Sequence, residues 1–165
     1  MNSTTFQLAI KVGNRLREVR LYLTTAESCT GGGIASAITD VSGSSAWFDR
    51  GFVSYSNMAK TEMLGVPPAL IERHGAVSEQ TARAMAEGAL RHSRAQIALS
   101  VTGIAGPGGG TEEKPVGTVC FGWAVHHTSK TEIRRFKGER DAVRQQTIEH
   151  ALRELLTFID DTENR

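Results

Sequence analysis

The sequence predicts a single α/β domain over residues 5–160, a three-layer α/β/α sandwich around a mixed β-sheet. Three observations carry that prediction. Segments with helical and with strand-like periodicity alternate along the chain, two glycine-rich loops each begin at the end of an apolar extended run, and the chain closes with two successive strand-like runs and one long amphipathic helix. The 165 residues suit one domain, since domains run roughly 100 to 200 residues. Hydrophobic residues at 39% and charged residues at 22% supply a core without the net charge that keeps chains disordered.

Thr4 and Gln7 have capping-box spacing, and Ala9, Val12, Leu16 and Val19 follow at helical steps, which predicts a helix over residues 5–19. Residues 21–25 read as extended. Gly31, Gly32 and Gly33 then lead into Ile34, Ala35 and Ile38, giving the strand, glycine turn and helix order that α/β nucleotide sites use. After Gly51, residues 52–55 form a short β-rich run, and Asn57 caps a short helix containing Lys60 and Leu64 that stops before Gly65 and Pro67. Ser78 and Glu79 open a helix whose Ala82, Met85, Ala86 and Ala89 make an apolar stripe. Residues 97–101 are an apolar strand ending at Thr102, directly before the second glycine loop, residues 103–110. Residues 118–125 and 131–136 read as an antiparallel hairpin, and Asp141 opens the last helix, with Val143, Ile148, Leu152, Leu155 and Ile159 on its apolar side. The tail, 160–165, reads as frayed. Helices before, between and after the strands imply a sheet covered on both faces.

Charge and motif spacing exclude several functions. Lys and Arg total 19 against 18 Asp and Glu, so nucleic acid and anionic membranes find no excess positive charge. No apolar run reaches the roughly 18 residues of a bilayer span, and the polar N-terminus lacks signal-peptide order, which places the chain in the cytoplasm. Cys29 and Cys120 are too few for a disulfide framework and suit a reducing compartment. No Lys-Ser/Thr pair follows Gly110, which excludes a Walker loop, and Gly31 stands where a Ser28-x-x-Lys arrangement would need lysine. His126 and His127, read as strand neighbours, point to opposite faces and form no metal pair. No metal and no cofactor are expected.

Eight of the 17 glycines lie in the two loops, about seventy residues apart, where they serve as turns or bring backbone close to a ligand. Three segments remain: 25–32 with Glu27, Ser28, Cys29 and Thr30; 51–60 with Tyr55 and Lys60; and 100–107 with Thr102, Gly103, Ala105 and Gly106. With Gly43-Ser44-Ser45-Ala46-Trp47-Phe48, His74-Gly75-Ala76-Val77-Ser78, residues 113–118 and Asp141-Ala142-Val143-Arg144, they resemble the CinA C-terminal domain, or PncC, family over nearly the whole chain. The chain resembles its stand-alone form, without the additional N-terminal domain of larger relatives. It departs at Gly108, where related sequences often carry Asp.

The resemblance implies hydrolysis of the carboxamide of nicotinamide mononucleotide to nicotinic acid mononucleotide and ammonia. It assigns Ser28 as nucleophile with Tyr55 and Lys60 assisting, and a homodimer as the assembly. Elementary chemistry is consistent: a serine hydroxyl needs a base, and lysine becomes one only if burial pulls its pKa from about 10.4 toward 7 or 8. Tyr55 would relay the proton or hold Lys60, and glycine amides beside Ser28 would stabilise the oxyanion. Substrate contacts are expected from Thr30, Gly31, Ser45, Thr102, Gly103, Ala105, Gly106 and Arg140, with Arg140 and Arg144 as phosphate partners or surface ion-pair residues. Glu27 either neutralises Lys60 or caps local backbone. Cys29, beside the nucleophile, is expected to pack beneath the turn as a small apolar side chain. Bland roles stand beside these: Ser28 as a helix cap, Tyr55 as a strand aromatic, Lys60 as a solvated residue. Two rival functions are an inactive nucleotide-binding module and an accessory protein in competence or DNA damage; the second finds no basic patch.

Overall fold

The structure, a computed structural model, describes residues 3–164. Five strands form one mixed sheet in the order β2-β1-β3-β4-β5. They are β1 (Leu23–Glu27), β2 (Phe48–Val53), β3 (Ile97–Gly103), β4 (Thr118–Val125) and β5 (Thr128–Arg135). β1 runs parallel to β2 and β3, while β4 and β5 extend the sheet antiparallel. Helices α1 (Ser3–Val19), α2 (Gly33–Thr39) and α6 (Arg140–Glu163) cover one face; α3 (Asn57–Leu64), α4 (Pro68–His74) and α5 (Glu79–Arg91) cover the other. The expected three-layer sandwich with a mixed sheet is therefore the fold.

The two faces are built from different side chains. Along β3 and β4, Ile97, Leu99, Val101, Val119, Phe121 and Trp123 join the core shared with α1, α2 and α6, all of them fully buried. The alternate positions are small: Ala98 and Ala124 pack with the α5 side, Ser100 Oγ donates to Ala82 O at 2.5 Å, and a Cβ on Gly122 would meet that carbonyl at 2.7 Å. Period-two alternation thus sorts bulky from small residues, and α5 lies close against the sheet as a result.

β1 lies at the topological switch of the sheet. The connection from β1 to β2 passes through α2 on one face, and that from β2 to β3 through α3, α4 and α5 on the other. A crevice outside the carboxyl ends of the parallel strands follows from this connectivity, the usual ligand position in open α/β sheets. Pairing of Glu27 with both Val53 and Val101 brings the loops after β1, β2 and β3 to that one end.

Several boundaries differ from the sequence reading. Thr4 lies inside α1, which already starts at Ser3, so it is not the expected cap. β2 runs Phe48–Val53 instead of 52–55, an edge strand with the exposed Arg50 and Gly51 in it that leaves Tyr55 outside the sheet. Ser56, not Asn57, caps α3, its Oγ accepting the Ala59 N–H at 3.0 Å. Helix α4 begins directly after the stop expected at Gly65 and Pro67, with Pro68 in its first turn, where the missing N–H costs nothing. His126 and His127 are the two-residue turn between paired Val125 and Thr128, not strand neighbours. The expected frayed tail is helical to Glu163, and Asp160 accepts from Arg15 Nε at 2.9 Å; Arg165 lies outside the described residues.

Gly88 lets α5 receive the C-terminal end of α3, since a Cβ there would fall 2.0 Å from Leu64 O. Gly88→Ala should destabilise the domain by about 1–3 kcal/mol, despite the better helix propensity of alanine. A urea midpoint unchanged or raised by this substitution would refute the packing.

Candidate active site

Strand β1 delivers Ser28 to the crevice. Ser28 N donates to Val101 O at 3.1 Å, continuing the β3 pairing by one residue, after which Gly31 and Gly32 take φ of 58° and 99° and turn the chain into α2. Only glycine enters that region cheaply, so the short turn needs both. Glu27, 1% exposed, holds the turn from beneath. Its Oε1 accepts from Thr30 Oγ1 at 2.5 Å and from the Ile34 amide at 2.8 Å, and its Oε2 from the Ala35 amide at 3.0 Å. Of the two roles expected for Glu27, capping backbone is the one it fills. Arg144 closes the same turn from outside, donating from Nε to Cys29 O (3.1 Å) and from Nη2 to Thr30 O (3.0 Å).

Lys60 reaches Ser28 from α3. Its side chain is 1% exposed, and Nζ lies 3.2 Å from Ser28 Oγ and 3.1 Å from Tyr55 O. Burial strips the ammonium of water and holds its pKa below the ordinary lysine value. Ser28 Oγ in turn lies 3.3 Å from Tyr55 O. The helix-cap role for Ser28 and the solvated role for Lys60 are both at odds with this geometry. Tyr55 contributes its main-chain carbonyl to the pair, while its ring is 60% exposed and its phenolic oxygen accepts from Arg140 Nη2 at 3.3 Å. The structure thus turns the phenol toward Arg140 and leaves the carbonyl to hold Lys60 and Ser28.

A cavity of about 220 Å³ opens onto this pair, its walls including Cys29, Asn57, Thr102, Gly103, Ala105 and Arg140. A second, larger cleft of about 720 Å³ shares Ala105 and Arg140 with it and adds Val116, Glu139 and Arg144. Arg140 stands between the two and also donates from Nη1 to Gly106 O at 2.7 Å, tying the loop after β3 to the start of α6. Among the described residues no group of three or more His, Cys, Asp or Glu side chains could hold a metal ion.

A model of the CinA C-terminal domain matches residues 5–159 of this sequence. The chain belongs to the CinA C-terminal domain family. It is 52% identical over 155 residues to the nicotinamide-nucleotide amidohydrolase PncC of Escherichia coli K12, covering 93% of this chain and 94% of that protein. A Pseudomonas putida protein of the same name is 52% identical over 149 residues, covering 90% and 93%. Among solved structures, the competence/damage-inducible protein of Agrobacterium tumefaciens superposes with a TM-score of 0.90 at 45% identity, covering 95% of this chain and 96% of that one. A CinA superfamily protein of Klebsiella pneumoniae gives 0.92 at 36% identity, covering 98% and 99%.

In this CinA domain several side chains of the expected substrate contacts are engaged within the protein. Thr30 is fully buried with its hydroxyl on Glu27, and Thr102, 1% exposed, donates to Ala76 O at 2.8 Å. Ser45 sits in a 3₁₀ turn before β2, at the other end of the parallel strands and ~16 Å along a five-residue β1 from Ser28, so this chain does not bring it to the crevice. The Gly31 and Gly33 amides, expected to face an oxyanion, are spent on Ser28 O and Thr30 O at 3.0 and 2.9 Å. Arg140 and Arg144 hold loop carbonyls instead of surface carboxylates. Cys29 is buried in the core beneath the turn, and burial pushes its thiol up to about 12, so it stays protonated at neutral pH. Sequence reasoning missed Asn57 and Ala76 as cavity walls; they carry no reactive group that would single them out.

Glu27→Gln retains the shape of the turn's anchor and turns a donor toward a backbone amide. Stability should fall by about 1.5–3 kcal/mol, the range for hydrogen bonds to charged groups. An unchanged thermal midpoint would remove Glu27 from its anchoring role.

Proposed function

We propose that this protein hydrolyses the carboxamide of nicotinamide mononucleotide, giving nicotinic acid mononucleotide and ammonia, with Ser28 as nucleophile and Lys60 as its base. The observation that carries the reading is the buried Lys60 amine 3.2 Å from Ser28 Oγ. The names of the relatives that align with almost the full chain supply the substrate.

Neutral Lys60 accepts the Ser28 proton as Oγ attacks the carboxamide carbon. The resulting ammonium returns a proton to the amide nitrogen, the C–N bond breaks, and ammonia leaves an acyl ester on Ser28. Water, deprotonated by the same amine, attacks the ester and frees the acid and Oγ. Tyr55 O accepts from Nζ throughout and fixes its position. The carboxamide-bearing ring enters the small cavity, and the ribose phosphate extends past Arg140 into the larger cleft, where Arg140 and Arg144 offer positive charge.

Ser28→Ala and Lys60→Ala should each lower kcat by several orders of magnitude while the fold persists, and the double variant should be no worse than the weaker single, because the two act as one unit. Ammonia release from the mononucleotide reads this out, and a folded Ser28→Ala that keeps wild-type turnover would refute the assignment. Tight binding with no turnover by the native protein would select the binding-module reading. Tyr55→Phe should keep turnover within about tenfold of wild type, because the carbonyl that holds Lys60 survives; a loss as deep as Lys60→Ala would instead make the phenol the proton carrier.

The pH dependence follows from the direction of the Lys60 shift. Lowered pKa means the neutral, competent amine appears below the usual lysine range, so kcat/KM should rise with pH through one ionisation beneath 10.5 and then level off. A profile governed by an ionisation near 4 would point to a carboxylate.

A further inference from the structure

Attack on a carboxamide creates an oxyanion, and the amides of Gly31 and Gly33 do not serve it, being engaged within the turn. The sheet register identifies another donor. Ile104 N donates to Thr118 O at 2.9 Å, so the main-chain groups of Ile104 and Thr102 face β4, and by alternation those of Val101 and Gly103 face β1. Val101 O is used there, accepting from Ser28 N at 3.1 Å. In a regular parallel ladder the next bond would run from Gly103 N to Ser28 O. Here β1 ends at Glu27, Ser28 O accepts from Gly31 N at 3.0 Å, and the chain leaves the sheet in the glycine turn. β3 thus outruns β1 by one donor, and the Gly103 N–H is left without a ladder partner on the wall of the cavity over Ser28 and Lys60.

We propose that the Gly103 N–H is the oxyanion donor of the reaction. The inference rests on the amidase reading above. β2 and β3 flank β1 on opposite sides. The chain that follows β2 brings Tyr55 O and Lys60 Nζ to Ser28 Oγ, at 3.3 and 3.2 Å, while Gly103 stands on the β3 flank. As Oγ bonds to the carboxamide carbon, the carbonyl π pair moves to oxygen; it returns when the C–N bond breaks and the nitrogen leaves with the proton held by Lys60. Nitrogen on the Lys60 side leaves the oxygen of the tetrahedral carbon to the β3 flank, where this donor lacks a strand acceptor. Glycine at 103 allows the approach: a Cβ there would lie 2.8 Å from Val119 Cγ2 and 3.1 Å from Cys29 Sγ. Cys29, packed beneath the turn, therefore keeps the end of β3 beside the nucleophile.

The test replaces Gly103 by glycolic acid through cell-free translation, which exchanges the N–H for an ester oxygen and adds no side chain. Gly108, exposed in the following loop, is exchanged in the same way as a control and should match native protein. The ester at 103 should lower kcat for ammonia release from nicotinamide mononucleotide about 10²–10³-fold with KM within about threefold of native. It should weaken inhibition by the corresponding 3-carbaldehyde, which places the same tetrahedral oxygen on Ser28, by a similar factor. In native protein labelled with ¹⁵N-glycine, the aldehyde adduct should move the Gly103 amide proton further downfield than any other glycine amide. A kcat within about threefold of native, a loss carried by KM alone, or an equal loss in the control overturns the donor. An unmoved Gly103 resonance overturns it even if the ester variant fails to fold. Native protein that releases no ammonia overturns the amidase reading and the donor with it.

Discussion

A lysine amine buried away from bulk water is the constraint on which the site rests. Moving an ammonium out of water is costly unless it is paired, and Nζ of Lys60 finds one main-chain carbonyl and one hydroxyl as partners. Desolvation therefore favours the neutral amine, the form able to take a proton from serine. The surrounding fold buries its stem: Leu64 and Val66 anchor the end of α3 in the core beneath α5, and Gly88 allows the two helices to meet. A weaker seat for α3 would hydrate Lys60 and return it to an ordinary cation.

The partner of that lysine is fixed with equal care. Ser28 follows the last residue of β1, held by a β3 carbonyl, while Glu27 and Arg144 clamp the turn after it from inside and outside. Because Glu27 reaches both the turn and the first amides of α2, strand, loop and helix are tied at a single carboxylate. Arg140 performs the comparable task across the mouth, joining Tyr55 to the loop after β3. The crevice has this position because the sheet switches direction at β1, so the site is a consequence of topology before it is one of side-chain chemistry.

Much of this was legible in the sequence, and the failures have physical causes. The succession of helical and strand-like periodicities and the glycine turn after Ser28 are local signals, and the layered fold followed from them. The burial of Lys60 beside Ser28 was expected only through family resemblance, because 32 residues separate them and no local pattern encodes the approach. Tyr55 was expected to relay the proton or hold Lys60, and the carbonyl that makes the contact carries no residue-type signature. Thr30 and Thr102 were expected at the pocket from the loops that carry them; the partners of their hydroxyls, Glu27 and Ala76 O, are visible only once the chain is folded. Helix α4 had no place in the sequence reading, which ended one helix before Gly65 and Pro67 and opened the next at Ser78.

Size divides the crevice into a small space over Ser28 and Lys60 and a larger one where Arg140 and Arg144 stand beside Glu139 and Asp141. The proposed reaction requires Lys60 to be neutral in the folded protein. The direct measurement is an NMR titration of the protein with ¹³C at lysine Cε, the Lys60 resonance being assigned by its loss in Lys60→Met. The account predicts a Lys60 midpoint clearly below that of the exposed lysines; a midpoint coincident with theirs would contradict it.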